Sequence, residues 1–188
     1  MRLIIFNESL SNLHEFIDFW SGKYQYPLEH LYDKNIGKPF TPAAVNDLFR
    51  WKNGTPLSGL KERSVKENFI DRIHDVLALS HDLTPEAFLQ AFPKEGAIWR
   101  IFWMHCWKQS YPIYDQHVHR AMAFIQGTAD MEISGLSDAK KVEQYQSRYI
   151  PFVRDLGVED GRKADQALWA FGKFIKAWTA PDRSTQQE

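Results

Sequence analysis

Asp115, His117 and His119 are titratable residues within five positions, at the start of an apolar-periodic run that extends to residue 125. The pattern predicts that Asp115 is the N-cap of a helix. A carboxylate at a helix start stays ionised, because the backbone N–H groups and the helix dipole favour its charged form. It is then suited to stabilising a developing positive charge, although helix capping alone also explains an aspartate at this position. His117 and His119 point to different sides of the first helical turn, so at most one of them can share a site with Asp115.

His105 is a further titratable residue, and it lies on a predicted helix, Glu95–Gln109, that is apolar on nearly every side. Such a helix must be wrapped by other helices, and the tryptophans four residues apart along it are expected to be core. His105 is either a buried imidazole with satisfied hydrogen bonds or part of a substrate pocket. The candidate residues for that pocket are His105, Lys108, His117 and His119.

The elements that must position these residues are all predicted to be helices. Thr41-Pro42 and Thr84-Pro85 each combine a capping threonine with a proline at the first helical position. The predicted helices are one from Ser9 or Ser11 to Gly22, one from Pro27 to Asn35, Pro42–Asn53, Lys61–Leu79, Pro85–Phe92, Glu95–Gln109, Asp115–Gln126, one from Ser137 that Pro151 kinks, and Arg162–Trp178. The expected fold is therefore all-α, a single domain over residues 1–179 with a polar, flexible tail over residues 180–188. Its roughly nine helices are expected to form two lobes around the Ala97–Gln109 helix, with a cleft near Asp115.

The composition limits the classes of function. The chain has 188 residues, of which 44% are hydrophobic, which suffices for one well-buried core. No apolar run has the length of a membrane span or of a secretory signal, so we expect a soluble, cytoplasmic protein without a membrane partner. The lone Cys106 excludes a disulfide framework, a cysteine-rich zinc site and an iron–sulfur cluster. We expect no cofactor and no metal, and the sequence does not indicate an oligomeric state.

A family resemblance rests on the segment from about residue 84 to residue 126. A short helix, the sequence Phe92-Pro93-Lys94-Glu95-Gly96, an apolar helix and then Tyr111-Pro112-Ile113-Tyr114-Asp115-Gln116-His117-Val118-His119-Arg120 follow one another. This order resembles the core of the helix-hairpin-helix DNA glycosylase superfamily, in its 8-oxoguanine DNA glycosylase-like branch. Asp115, His117, Val118 and Arg120 match the family pattern V-D-T-H-V-x-R in register.

The resemblance implies an enzyme that takes a damaged or modified base out of the DNA stack and cleaves its glycosidic bond. Asp115 would be the catalytic residue, stabilising the cationic sugar or orienting the water. The hairpin around Lys94 and Gly96 would hold a DNA phosphate. The chain departs from the family at this hairpin, where Lys94-Glu95 replaces the first glycine and no lysine follows. The resemblance therefore favours a monofunctional hydrolase over a lyase.

A local excess of four positive charges between residues 50 and 66 is the best candidate for a phosphate-contacting surface. An ordinary solvated helix end explains the same charges equally well. The predicted DNA-binding residues of this region are Arg50, Lys52, Lys61, Arg63 and Lys66.

Two other functions are compatible with the sequence. One is a non-catalytic helical module that binds DNA or a protein, which the altered hairpin and the near-neutral net charge of −1 favour. The other is a metal-dependent phosphohydrolase, because the dipeptides His74-Asp75 and His81-Asp82 resemble the metal-binding dyad of HD-type enzymes.

Overall fold

The computed structural model describes residues 12–179 of the chain, and within that range every regular element is a helix. The predicted all-α fold class is confirmed. The α-helices, in chain order, are α1 (Leu13–Ser21), α2 (Glu29–Asn35), α3 (Pro42–Asn53), α4 (Gly59–Val65), α5 (Ile73–Leu77), α6 (Pro85–Ala91), α7 (Ala97–Trp107), α8 (Gln116–Ile125), α9 (Asp138–Gln144), α10 (Ile150–Asp155) and α11 (Gly161–Thr179). The predicted tail, residues 180–188, and the candidate caps Ser9 and Ser11 lie outside the described residues.

Side-chain caps start several helices at the predicted residues. Thr41 accepts a hydrogen bond from the backbone N–H of Ala44 at 3.1 Å, and Thr84 accepts one from Ala87 at 3.3 Å. Asn12, rather than an earlier serine, caps α1. These caps depend on residues three positions apart, which is why the sequence alone predicts most of them.

The predicted single helix Lys61–Leu79 is wrong, because a π-helical turn, Lys66–Ile70, and a bend interrupt it between α4 and α5. Inside this turn the Asn68 side chain donates to the Ser64 carbonyl at 3.1 Å and to Glu95 Oε1 at 2.9 Å. A side chain that bonds to a carbonyl four residues back competes with the helical backbone hydrogen bond. Through Asn68, the interrupted segment after α4 is therefore bonded to Glu95 in the hairpin before α7.

A second π-helical turn, Tyr145–Tyr149, lies between α9 and α10, just before Pro151. Proline has no N–H to donate to the carbonyl four residues earlier, so the regular hydrogen-bond ladder is broken there. The break is where the sequence predicts a kink. It also turns the Tyr145 and Tyr149 side chains into the core, where both are fully buried.

Helix α7 is central to the core, since every residue from Ile101 to Cys106 is buried. Trp103 is fully buried, whereas Trp99 and Trp107 are partly buried and pack against the same cluster. The tryptophan stripe is thus core, as predicted. Helices α3, α6, α8 and the π-helical turns contribute further side chains to this cluster.

Helix α11 packs along both α1 and α8. A separate apolar cluster of Ile17 and Trp20 with alanines of α11 joins the N-terminal and C-terminal helices. On its other face, α11 approaches α8 so closely that a Cβ atom at Gly172 would lie 1.9 Å from the His117 carbonyl oxygen. Among residues 12–179, none of the helices combines the length and the apolar character that a membrane crossing requires.

Candidate functional site

Asp115 is the N-cap of α8, as predicted. Its Oδ1 accepts hydrogen bonds from the backbone N–H of His117 at 2.8 Å and of Val118 at 3.2 Å. Its side chain remains 22% exposed. One carboxylate oxygen is therefore used by the helix, and the other faces α3.

Lys52 of α3 is the partner of that second oxygen. Its Nζ lies 3.4 Å from Asp115 Oδ2 and donates to the Tyr114 carbonyl at 3.2 Å. The Lys52 side chain is only 6% exposed and lies over the Phe102 ring. The interpretation of Lys52 as part of a phosphate-contacting surface is wrong, because a side chain sealed in the interior cannot reach DNA.

The surroundings of Asp115 keep its carboxylate ionised. Burial would raise the pKa of Asp115, but the charges of Lys52 and His117 and the two backbone N–H groups more than offset it, so the pKa lies below its ordinary value. Asp115 is thus a partly exposed, permanently charged group at neutral pH. That state suits an electrostatic role and does not suit a general acid.

His117 and His119 separate as predicted, and only His117 is beside Asp115. The His117 ring packs edge-on against Trp169 of α11, with ring centroids 5.1 Å apart. His119 turns inward, where it bonds to the Tyr114 hydroxyl and the Asp130 carbonyl, each at 2.8 Å. His119 is 1% exposed, so it supports the fold and does not line a site.

Arg120, the last residue of the family pattern, is 1% exposed and joins three elements. Its Nη1 donates to the Gly172 carbonyl at 3.1 Å, and its Nε donates to Glu132 Oε1 at 2.9 Å. The guanidinium thereby holds α8 to α11 and to the segment that follows α8. The segment from Asp115 to Arg120 serves capping and packing over most of its length.

His105 is buried and satisfied on both ring nitrogens. Nδ1 is 2.7 Å from the Tyr111 carbonyl, which can only accept, so the proton is on Nδ1 and Nε2 accepts from the Tyr32 hydroxyl at 2.7 Å. Burial lowers the pKa of His105 to about 4, although the bond to the Tyr111 carbonyl opposes this change. His105 is consequently neutral at physiological pH.

The predicted pocket of His105, Lys108, His117 and His119 does not form. Lys108 Nζ donates to the His81 carbonyl at 2.9 Å and lies over the Trp107 and Tyr111 rings. His117 and His119 have the separate partners described above. Of the four, His105 lines a large cavity, whose walls include none of Lys108, His117 and His119.

That cavity has a volume of about 840 Å³ and lies between α2, the end of α7 with the loop after it, α10 and the start of α11. Its walls are mostly apolar, and Tyr32, His105, Arg162 and Asp165 form its polar floor. Asp115 does not line it. The charge of Asp115 nevertheless contributes to raising the pKa of Asp165.

Arg162 contacts several of the polar and aromatic groups at the floor of the cavity. It forms ion pairs with Asp165 and with Glu29, donates to the Tyr24 hydroxyl at 3.1 Å, and lies 4.4 Å from the centre of the Tyr32 ring. Burial raises the pKa of Asp165 to about 6, outweighing the opposing effect of Arg162, and the charge of Asp115 adds to the rise.

The hairpin between α6 and α7 contains a residue other than glycine in the left-handed conformation. Glu95 has a φ of 80°, and it is the one non-glycine residue with positive φ among residues 12–179. Gly96 follows as the N-cap of α7, with no side-chain cap. Lys94 is exposed, and a groove of about 380 Å³ beside Gly96 is also lined by Lys61.

The rest of the predicted basic surface is partly neutralised. Arg50 pairs with Asp47 at 3.2 Å, and Lys66 pairs with Asp71 at 2.8 Å. Lys61 donates to Asn53 Oδ1 at 2.6 Å, and Arg63 is exposed on α4. No described carboxylate therefore pairs with the other cations predicted to bind DNA, which are Lys61, Arg63 and Lys94.

The HD-type dipeptides have other partners. Asp75 pairs with Arg72, and the His81 ring stacks on Trp107 with centroids 6.3 Å apart. Over residues 12–179, no three His, Cys, Asp or Glu side chains come together as metal ligands would. The geometry gives the phosphohydrolase hypothesis no support.

No protein-family model, curated protein or solved structure matches the chain. The interpretation of the site consequently depends on its own geometry and on the resemblance of the 84–126 segment.

Sequence reasoning missed Arg162 and Asp165, and it named Lys52 as a DNA-binding residue without its contact with Asp115. Lys52 is 63 positions from Asp115, and Arg162 is 133 positions from Glu29. The signal available in the sequence was weak, since Arg162 and Asp165 are three residues apart on one predicted helix face, which is also typical of a surface ion pair.

Proposed function

We propose that this protein is a monofunctional DNA N-glycosylase that removes a damaged or modified base from DNA. The observation that carries the proposal is Asp115, an ionised and partly exposed carboxylate at the start of α8, the helix that directly follows α6, the hairpin and α7. This arrangement supports the function that the family resemblance implies. The left-handed conformation at Glu95 adds support, because it retains the hairpin bend with a different residue.

In the proposed reaction, the bond between C1′ of the deoxyribose and the base nitrogen breaks, and positive charge develops on the sugar. The Asp115 carboxylate stabilises that charge. A water oxygen then forms the new bond to C1′, its proton passes to solvent, and the base leaves with a proton in place of the sugar. Lys52 acts as a positioning residue, since it fixes Asp115 Oδ2 and keeps the carboxylate charged.

The position of Lys52 also bears on the choice between hydrolase and lyase. Lys52 is an amine within 3.4 Å of Asp115, but its Nζ donates to Asp115 and to the Tyr114 carbonyl. An amine must be free and accessible to attack C1′ and form a Schiff base. A single hydrolytic step is therefore better supported than lyase chemistry.

The test is cleavage of duplex and single-stranded DNA that carries a panel of damaged bases, with abasic sites revealed by alkali. Asp115→Asn keeps a good N-cap oxygen and removes the charge, so excision should fall by about 10²-fold or more while DNA binding is retained. Asp155→Asn, which removes an exposed carboxylate from the end of α10, is the matched control. Equal excision by wild type and the folded Asp115→Asn variant would overturn the proposal.

A non-catalytic DNA-binding module is the second candidate, and Glu95 is the observation that favours it. A carboxylate in the hairpin opposes phosphate binding at the amides that follow it, although Lys61 and Lys94 are close to the same groove. Binding to DNA that depends on Lys94, together with no excision of any base in the panel, would assign this function instead.

A further inference from the structure

The last helix, α11, carries two exposed cations toward its C-terminal end. From residue 166 to residue 179 it contains Lys173 and Lys176 and no acidic residue. The ion pairs that α11 forms use Arg162 and Lys163 at its start. No carboxylate within residues 12–179 pairs with Lys173 or Lys176, so the charges of both lysines are available to a partner.

Trp169, Lys173 and Lys176 lie on one face of α11. They are spaced by four and three residues, the spacings that make side chains neighbours on a helix surface. Lys173 Nζ lies 4.7 Å from the centre of the Trp169 ring. This cation–π contact attracts the ammonium to the ring without neutralising it. Lys173 is therefore held in place and remains a cation.

This face of α11 adjoins the start of α8, where Asp115 lies. The Trp169 ring packs against the ring of His117, the second residue after Asp115, with centroids 5.1 Å apart. The backbone of Gly172 approaches the His117 carbonyl so closely that no Cβ atom would fit between them. The close packing of the two helices fixes the basic face of α11 beside the helix start that Asp115 caps.

His117 adds a neutral hydrogen-bond donor to this surface. Its Nδ1 lies 3.4 Å from Arg120 Nη1, which can only donate, so the ring proton is on Nε2. Nε2 takes part in no hydrogen bond among residues 12–179. Burial lowers the pKa of His117, and the lysines of α11 add to this effect against the charge of Asp115. His117 is consequently neutral at pH 7, with one N–H to offer to an oxygen.

The arrangement fits an extended polyanion better than a small anion. The two lysines follow each other along an exposed helix face, and neither lines the cavity of about 840 Å³ or the groove of about 380 Å³. A DNA strand carries one negative charge per nucleotide, so it can contact both cations at once. A row of cations with an aromatic side chain is typical of surfaces that follow a nucleic-acid backbone.

We infer that the α11 face of Trp169, Lys173 and Lys176, together with His117, binds the phosphate backbone of the DNA strand that carries the target base. The inference rests on the proposed function, because it takes that strand past Asp115. The two lysines bind phosphates by charge, and His117 donates to a phosphate oxygen. Trp169 holds His117 and Lys173 in place. Such contacts position a strand and do not read its sequence.

The experiment measures binding of labelled duplex and single-stranded DNA to the full chain by fluorescence anisotropy over a range of salt concentrations. The double variant Lys173→Gln/Lys176→Gln should bind about tenfold or more weakly at about 0.1 M salt, because two phosphate contacts are lost. The slope of log affinity against log salt concentration should fall in magnitude by about two. Loss of two lysines that serve only the fold would not change this slope.

Two further variants make the result specific. Lys34→Gln/Lys38→Gln is the matched control, because it removes two exposed lysines from the end of α2 and the loop after it. It should leave the salt slope unchanged and the affinity within about twofold of wild type. Lys173→Arg/Lys176→Arg keeps both charges and should retain wild-type affinity. Thermal unfolding checks that each variant is folded.

Equal affinity and salt slope in wild type and Lys173→Gln/Lys176→Gln would overturn the inference. Lysine-dependent binding to phosphatidylglycerol vesicles, with no effect of the same lysines on DNA binding, would also overturn it and assign the face to a membrane surface. Failure of the proposed function gives a different result. Lysine-dependent DNA binding without base excision by the wild type removes the glycosylase and keeps the strand contact. Wild-type excision that the double variant retains in full, at DNA concentrations below the wild-type Kd, removes only the strand contact.

Discussion

Asp115 and Lys52 form an ion pair whose members differ in their access to water. The Asp115 side chain is 22% exposed and has two backbone N–H donors, whereas the Lys52 side chain is 6% exposed. Loss of the carboxylate leaves a buried cation with one carbonyl as its partner. Loss of the amine leaves a carboxylate that water and the helix start still stabilise. The two single substitutions should therefore have unequal effects.

We predict that Asp115→Asn lowers the free energy of unfolding by about 3 kcal/mol, because it leaves a buried charge unpaired. Lys52→Met should cost only about 1 kcal/mol, since it replaces the amine with an apolar side chain of similar length. The double variant should be more stable than Asp115→Asn alone. Urea unfolding of all four proteins at pH 7 measures the three differences, and strict additivity would contradict the ion pair.

The same pair shows what the sequence can predict at this scale. The Asp115 cap depends on His117 and Val118, its neighbours along the chain, so a local pattern suffices to predict it. The Lys52 contact depends on how α3 packs against the start of α8. Nothing in the residues around Lys52 distinguishes it from the exposed Arg63, and a charge count treats both as surface.

At the scale of elements, helices α8 and α11 pack in close backbone contact at Gly172. A Cβ atom at Gly172 would be 1.9 Å from the His117 carbonyl oxygen and 2.6 Å from its carbonyl carbon. Both are backbone atoms in the first turn that Asp115 caps, so they cannot move without displacing that residue. Glycine is required here for close approach, since Gly172 is not among the residues with positive φ.

We predict that Gly172→Ala lowers the free energy of unfolding by about 3 kcal/mol, which exceeds the gain of about 1 kcal/mol that alanine brings to a helix interior. Gly59→Ala is the matched control, because a Cβ there has no heavy atom within 4 Å. It should leave stability unchanged or raise it slightly. Thermal unfolding of both variants tests the crossing, and equal melting temperatures would show that α8 and α11 can separate without cost.

Two substitutions at Glu95, in the hairpin between α6 and α7, distinguish the effect of its backbone conformation from the effect of its charge. Glu95 adopts a φ of 80°, which costs a residue with a Cβ about 1 kcal/mol, and its carboxylate accepts from Asn68 at 2.9 Å. Glu95→Gly relieves the backbone and removes the charge. Glu95→Gln removes the charge alone and keeps an oxygen for Asn68.

We predict that both substitutions increase affinity for duplex DNA by a similar factor of about three- to tenfold at low salt, because each removes one negative charge from the hairpin that we propose contacts phosphate. Only Glu95→Gly relieves the left-handed backbone. It alone should therefore change the melting temperature by an effect other than the loss of the hydrogen bond from Asn68. Fluorescence anisotropy with labelled DNA at several salt concentrations measures the first effect. Unchanged affinity in both variants would mean that the hairpin does not contact phosphate.

At the scale of the whole molecule, the sequence predicts the helices better than their assembly. Periodicity and caps place α3, α6, α7, α8 and α11 within a few residues of where they lie. The π-helical turn at Lys66–Ile70 could not be predicted, because the Asn68 side chain bonds to Glu95, which is 27 positions away. The cavity escaped prediction for the same reason, since its floor combines α2, α7 and α11.

Two buried groups of that floor oppose each other in the pH dependence of stability. Burial lowers the pKa of His105 from 6.5 to about 4, so acidification between these values protonates only the unfolded chain and favours unfolding. Burial raises the pKa of Asp165 from 3.8 to about 6, so acidification protonates only the folded chain and favours folding. The two contributions have opposite sign over nearly the same pH interval, and they should largely cancel in the wild type.

We predict that replacing either Asp165 or His105 reveals the contribution of the other residue to the pH dependence of stability. Relative to wild type, Asp165→Asn should lose about 3 kcal/mol of stability as the pH falls from 6.5 to 4, because the effect of His105 is no longer balanced. His105→Gln, which keeps a donor and an acceptor for Tyr111 and Tyr32, should gain a similar amount over the same interval. Urea unfolding at a series of pH values gives both slopes, and the difference from wild type removes the other titrating groups. If both variants follow the wild-type profile, the cavity floor admits enough water to solvate these groups, and burial does not shift their pKa values in the folded chain.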